Sequence, residues 1–261
     1  MTVQSMRGRR RRRRVLILGG TTEARELAEL AAARWGTRID LLTSLAGRTR
    51  TPARIAGRVR RGGFGGTAGL AEFLRREKID YLIDATHPCA ARISRHAAPA
   101  AAAAGIAHLT LTRPPWRAGP DDRWIEVGDA AEAAARLPAL GRRVWLTVGS
   151  GDFAAFANVG GVWFLVRRID PPPAPLPLRD HTLILGRGPF AADAERALLA
   201  EHRIEVLVCR ASGGRATGTK LEAARAARLP VVMIRRPVAT TGPAVQSPRA
   251  ALAWLARRIR A

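Results

Sequence analysis

Between Leu18 and Ala24 an apolar run gives way to Gly-Gly-Thr-Thr-Glu, just where helical spacing begins. A strand that turns into a helix there leaves the first helical N–H groups unpaired and aimed at the turn, which suits an anion. Glycines let a backbone approach a ligand closely, and threonine hydroxyls can donate to phosphate oxygens. Gly19, Gly20, Thr21, Thr22 and Glu23 are therefore candidate contacts to a nucleotide phosphate. The spacing is not the Gly-x-Gly-x-x-Gly fingerprint, so this turn alone names no cofactor. An ordinary strand–helix turn is the plain alternative.

The end of the second apolar run discriminates further. It reads Leu-Leu-Thr-Ser over 41–44, with Arg48 shortly beyond. An acid at that point holds the ribose hydroxyls of NAD, whereas an arginine accommodates the 2′-phosphate of NADP. Asp40 comes too early in the strand to be that acid, so Ser44 and Arg48 point to NADP. Gly62-Gly63-Phe64-Gly65-Gly66 packs four glycines into five residues. Gly63 and Gly65 are candidates for close approach to the ligand, with a flexible turn as the alternative. Asp84-Ala85-Thr86-His87-Pro88 follows another apolar run, at the strand edge where ligands bind in open α/β sheets. Thr86 and His87 are candidate cofactor or substrate contacts, and His87 is a candidate proton donor. Its plain alternative is a capping imidazole, and Asp84 reads as a loop anchor.

The later half repeats this arrangement. Gly186-Arg187-Gly188-Pro189-Phe190 and Cys209-Arg210-Ala211-Ser212-Gly213-Gly214 each follow a strand-like run and precede a helical one. Each offers backbone N–H groups beside a cation, which suits carboxylates or phosphates. Arg187, Gly188, Ser212, Gly213 and Gly214 are candidate substrate contacts, as is Arg113 where the chain changes character. Lys220, one of two lysines in an arginine-biased chain, is a candidate anion contact and a second candidate proton donor. No Ser–His–Asp, Cys–His or paired-carboxylate arrangement stands out, and no His/Cys spacing suits a metal. The chemistry that remains is hydride transfer, with the cofactor carrying the reactive hydride and the protein positioning the partners.

Such loops need strands and helices to hold them. The pattern predicts strands at 15–18, 39–43, 58–60, 81–84 and 107–111. Helices are predicted at 22–35, from Thr67 as cap to 77, and from Pro88 to about 104. After Arg113-Pro114-Pro115-Trp116 a second alternating block begins. Its strands are predicted at 144–148, 162–166, 182–185, 204–208 and 231–234, and its helices at 129–137, 191–201, 217–228 and 248–259. The expected fold is α/β: two Rossmann-like lobes, each a mainly parallel sheet flanked by helices, with an interlobe crevice. The expected division is a disordered Arg-rich tail over 1–14, a cofactor lobe over 15–112 and a substrate lobe over 113–261.

Composition bounds the rest. The 261 residues carry a formal charge of +23, and seven arginines lie between Arg7 and Arg14. Without those seven the body is still strongly basic, which implies an anionic partner. No apolar run reaches the roughly 18 residues of a membrane span. No secretory leader is recognisable, so the expected location is the cytoplasm, with Cys89 and Cys209 as reduced thiols.

The order LILGGTTEAREL, SLAGRT, RRGGFGG, IDATHPCAARIS, RPPW, RGPF and ASGG…TKLEAARAARLPVVMIRRP resembles the precorrin-6A reductase family of cobalamin biosynthesis, from Val15 to about Pro237. The chain departs from the family pattern at Ala211, where asparagine is expected, at Cys89, where an aromatic is expected, and at Ser150-Gly151, where a charge is expected. The resemblance implies NADPH-dependent reduction of one double bond of precorrin-6A, or its cobalt form, to give precorrin-6B. It implies a polycarboxylate tetrapyrrole between two lobes and transient contact with other enzymes of the pathway. Two other readings compete. One is an NADP-dependent dehydrogenase of a smaller anionic metabolite, for which the usual Tyr-x-x-x-Lys pair is missing. The other is a basic nucleic-acid-binding protein using the arginine run, for which no stacking motif exists.

Overall fold

The computed structural model describes residues 11–47, 53–214, 217–237 and 242–259. The first elements in chain order are β1 (Arg13–Leu18), α1 (Thr22–Trp35), β2 (Ile39–Leu45), β3 (Arg58–Arg61), α2 (Gly66–Arg76), β4 (Tyr81–Asp84), α3 (Ala91–Ala104) and β5 (Ala107–Leu111). There follow β6 (Arg123–Val127), α4 (Ala130–Arg136), β7 (Arg143–Thr147), β8 (Trp163–Arg168), β9 (Asp180–Leu185) and α5 (Ala192–Glu201). The last are β10 (Val206–Arg210), α6 (Thr219–Ala226), β11 (Pro230–Ile234), β12 (Ala244–Val245) and α7 (Pro248–Ile259). The chain divides into two units, Met1–Thr112 with Thr240–Ala261, and Arg113–Ala239.

The first unit is a parallel sheet in the order β12-β5-β4-β1-β2-β3. Its central strand is apolar on both sides, as a strand covered on both faces must be. Val15 and Ile17 face α1 and α7, in a core with Leu27, Ala28, Trp254 and Leu255. Leu16 and Leu18 face α2 and α3, among Leu70, Leu74, Ala97 and Ala101. The second unit is also parallel, in the order β6-β11-β10-β7-β8-β9. Along β7, Val144 and Leu146 join the core under α4. Trp145 between them joins the core under α5 and α6. In each sheet the chain runs outward from a middle strand, β1 or β7, to one side and then returns to the other. That reversal makes a topological switch point, the usual ligand position in open α/β sheets.

Four expectations are corrected. Residues 13 and 14 are not tail: they begin β1, in register with Ile39 and Asp40. Asp80 bonds the Arg14 backbone N–H at 2.7 Å and the Arg13 guanidinium at 3.2 Å, so two strand residues are anchored by one carboxylate. Residues 1–10 lie outside the described residues. The segment from Thr240 belongs to the first unit, not the second. β12 adds to β5, and α7 buries Ala251, Trp254 and Leu255 in the first unit's core. Tyr81 explains part of that docking, since its hydroxyl donates to the Arg258 carbonyl at 3.0 Å and its ring meets Trp254 edge-on. Thr67 does not cap α2, which starts at Gly66 after a left-handed Gly65, and its hydroxyl bonds His96 instead. Pro88 sits before α3, whose first residue is Ala91.

Candidate functional site

The turn after β1 and the turn after β4 flank the first switch point and are joined by one side chain. The Thr21 hydroxyl accepts from the Ala24 N–H at 3.1 Å, capping α1, and donates to the Ala85 carbonyl at 2.8 Å. Its hydrogen is therefore committed to the protein, and the donors left to a phosphate are backbone N–H groups and the exposed Thr22. Gly20 lies at φ +107° with open space where a side chain would stand, while a Cβ on Gly19 would press into Thr43. Both glycines are needed for a turn this close to the sheet. Glu23 is half-buried in the first turn of α1.

Asp84 is buried at the end of β4. Its Oδ1 accepts from the Thr86 N–H at 3.1 Å and the Thr86 hydroxyl at 2.7 Å. It anchors the loop, as expected of it, and turns the Thr86 hydroxyl inward. The His87 Nδ1 accepts from the Cys89 N–H at 3.1 Å, which places the neutral ring's proton on Nε2. His87 thus shapes the turn before α3 as well as offering an N–H.

Ser44 ends up buried beside this edge. Its carbonyl accepts from the Gly19 N–H at 2.9 Å. Its hydroxyl accepts from Arg60 at 2.9 Å. Arg60, near the end of β3, also donates to the carbonyls of Gly62 and Gly63 and lies 4.0 Å above the Phe64 ring. Partial burial and the neighbouring Arg76 hold its pKa below the usual arginine value. Its hydrogen-bond acceptors are all neutral, and no ion pair to it forms among the described residues. Sequence reasoning quoted this residue as the first of RRGGFGG but gave it no role. The signal for it was position, since an arginine one strand over from Ser44 ends at the same edge. Arg48 lies outside the described residues. Gly63 and Gly65 sit exposed in the loop that Arg60 organises.

In the second unit a cavity of about 250 Å³ opens at the carboxyl ends of the strands. Gly188 and Lys220 line it, together with Phe190 of the RGPF motif and with Arg167, Arg168 and Glu195, which sequence reasoning had not singled out. Lys220 Nζ donates to the Thr147 hydroxyl at 3.0 Å, and Thr147 passes its own hydrogen to the Val208 carbonyl. This fixes the ammonium relative to β7. Arg187 is exposed between two glycines that line the cavity.

The other substrate candidates form a separate cluster. Gly213 sits at φ +64°, and a Cβ there would overlap the Pro114 carbonyl and the Arg236 guanidinium. Arg236 donates to the carbonyls of Ala211, Arg113 and Ser212, and Trp116 Nε1 donates to the Gly214 carbonyl at 2.8 Å. Arg113 and Ser212 are both buried. Ser212, Gly213 and Gly214 therefore form a loop clasped by Arg236 and by the segment after Arg113. The RPPW, ASGG and RRP motifs meet as one piece of architecture. Near it, Asp152 holds Arg210 through two bonds across the second switch point.

A larger cleft of about 500 Å³ lies at the opposite, amino edge of the first sheet, lined by Arg11, Arg12, Arg14, Arg58, Lys78 and Asp40. Asp40 and Asp80 bridge several of these cations. The cleft lies at the far end of the strands from the loops described above. Among the described residues no cluster of His, Cys, Asp and Glu could hold a metal ion, and no helix is long and apolar enough to cross a membrane.

Residues 14–256 match the family model described as precorrin-6x reductase CbiJ/CobK. The chain is 49% identical over 243 residues to the precorrin-6A reductase of Rhodococcus erythropolis, covering 93% of this chain and 97% of that one. It is 30% identical over 266 residues to the cobalt-precorrin-6A reductase of Salmonella typhimurium, covering 93% and 97%. Among solved structures it is similar to CobK precorrin-6A reductase, with a TM-score of 0.88 and 40% identity over 94% of this chain and 96% of that one.

Proposed function

Because this chain belongs to the precorrin-6x reductase family, we propose that it is the NADPH-dependent enzyme converting precorrin-6A to precorrin-6B. It is an oxidoreductase of cobalamin biosynthesis that reduces a double bond of precorrin-6A to a CH–CH group with a nicotinamide cofactor. NADPH rather than NADH is the finer reading, and Arg60 is the observation that carries it. A guanidinium whose bonds all go to neutral oxygens, at the carboxyl edge beside Ser44, suits the charge of a 2′-phosphate. Gly19, Gly20, Thr22 and the start of α1 would hold the pyrophosphate, with Thr21 bracing the turn rather than donating to it. Gly63, Gly65, Thr86 and His87 would flank the rest of the cofactor, which when bound supplies the hydride.

The protein's own part is to hold the carboxylates of the substrate and to deliver a proton. Lys220 and Arg168 are the cations of the second unit's cavity suited to acetate and propionate groups. Lys220, tethered to Thr147, carries an acidic hydrogen at Nζ, and His87 carries one at Nε2. These two remain the candidate proton donors. The cytoplasm is the proposed compartment, where both cysteines stay reduced. Anaerobic incubation with precorrin-6A and NADPH, following nicotinamide absorbance, tests the reading. Absence of oxidation with both the metal-free and the cobalt substrate would sink it.

A further inference from the structure

The second unit's cavity has two unlike sets of lining residues. Arg168 and Lys220 make one polar and cationic. The other is built from Phe190, Arg167 and Glu195. Glu195, on α5, is 2% exposed. It takes both terminal nitrogens of Arg167, at 2.7 and 2.8 Å. That guanidinium stacks on the Phe190 ring, 3.6 Å from its centroid, with Trp145 at 4.9 Å. Gly186 and Gly188 lie against the same ring, where a Cβ would stand 3.2–3.4 Å from its carbons.

A bidentate pair of this kind, with its carboxylate buried, neutralises the arginine. Arg167 is therefore no receptor for a substrate carboxylate, although it lines the cavity. What the pair accomplishes is to hold a flat cation rigid behind an aromatic ring. Glycine at 186 and 188 keeps two Cβ atoms from crowding that ring. We infer that Phe190 is a platform for the flat face of one ring of the substrate, and that Glu195 acts as a positioning residue that keeps Arg167 behind it. The volume agrees with this: pockets that engulf a whole drug-sized ligand run from about 300 to 1,000 Å³. A cavity of about 250 Å³ takes one edge of a tetrapyrrole rather than the whole. One pyrrole-derived ring lies on Phe190, and the carboxylates on its rim reach Arg168 and Lys220. The inference rests on the proposed substrate class and adds which residues read its planarity rather than its charge.

The test uses the full-length enzyme with two probes: cobyrinic acid, a stable polycarboxylate corrinoid, for equilibrium binding, and precorrin-6A with NADPH for kinetics. Aromatic stacking on a planar heterocycle is worth about 1–3 kcal/mol, so Phe190→Ala should raise both Kd and KM for the tetrapyrrole about tenfold. Both kcat and the KM for NADPH should stay within about twofold, and Phe190→Tyr should restore tetrapyrrole binding. Glu195→Gln should shift KM the same way and alter the fluorescence of Trp145, and Phe190→Ala decides the matter should Glu195→Gln not fold. A Phe190→Ala enzyme whose Kd and KM match the wild type overturns the inference. So does a loss confined to kcat, or one that Phe190→Tyr fails to restore. If the wild type binds cobyrinic acid but does not reduce precorrin-6A, the activity fails while the platform stands on the binding arm. If it does neither, both fall.

Discussion

Replacing Arg60 by alanine should lower the ratio of kcat/KM for NADPH to kcat/KM for NADH about 30-fold. The magnitude comes from the hydrogen bonds between a guanidinium and a phosphate, worth about 1.5–3 kcal/mol, of which about 2 kcal/mol corresponds to a factor of 30. In the structure Arg60 donates to Ser44, Gly62 and Gly63 and stacks on Phe64. Alanine thus removes a brace of the glycine loop as well as a charge. That structural loss acts on both cofactors, while only the charge distinguishes them. The quantity to measure is therefore the ratio of the two kcat/KM values, from initial rates with each cofactor at fixed precorrin-6A. Arg60→Lys should lie between, because it keeps a charge but loses the fork and the stack. A ratio that does not move in Arg60→Ala would refute the assignment of this guanidinium to the 2′-phosphate. It would show Arg60 to be loop scaffolding alone.

Gly213→Ala should cost about 2–3 kcal/mol in urea unfolding, because the new Cβ meets the Pro114 carbonyl and the φ of +64° disfavours it. A loss below about 0.5 kcal/mol would mean the clasp is loose. Tyr81→Phe should cost about 1 kcal/mol, the net worth of its bond to the Arg258 carbonyl, with catalysis unchanged. Burial pushes the His108 pKa below its ordinary 6.5, against an opposing pull from Asp84. As pH falls through 6.5 the unfolded chain takes up a proton that the folded chain resists, so stability declines on the acid side. His108→Gln should flatten that decline in urea midpoints compared at about pH 7.5 and 5.5, and an unchanged slope would contradict the assignment.

The strand–helix rhythm was legible because buried parallel strands are short unbroken apolar runs. Val15–Leu18 and Tyr81–Asp84 could hardly be read otherwise. What escaped was written in weaker chemistry. β6, Arg123–Val127, carries charges at an edge, and β12 is two residues long. The return of α7 to the first unit depends on which surface its Ala251–Trp254–Leu255 stripe meets, and periodicity does not record that. The same limit applied to the sites. Motif order identified the family, and the turns at Gly19 and Asp84 lie at the switch point. Yet Ser212 and Gly213 are held in an internal clasp, Arg60 entered only as the first letter of RRGGFGG, and Arg167 and Glu195 stand in stretches without any motif. Their positions come from register and helix docking. An arginine beside glycines or at a strand end looks the same in one dimension whether it faces water, a carboxylate or a ring.

The chain crosses between its units twice, because Thr240–Ala261 completes the unit that Met1–Thr112 begins. During synthesis the second unit is contiguous and can close as soon as it has left the ribosome. The first cannot, since the apolar surface of α1 around Leu27 and Ala28 waits for Trp254 and Leu255. At about 5–20 residues per second that wait lasts several seconds or more, with a hydrophobic face uncovered throughout. The part proposed to hold the nucleotide is thus the last to be finished, and nascent chains cut short anywhere before α7 would lack it. Truncation from the carboxyl side should therefore abolish cofactor binding first, although the deleted residues lie far along the chain from the glycine turn they support.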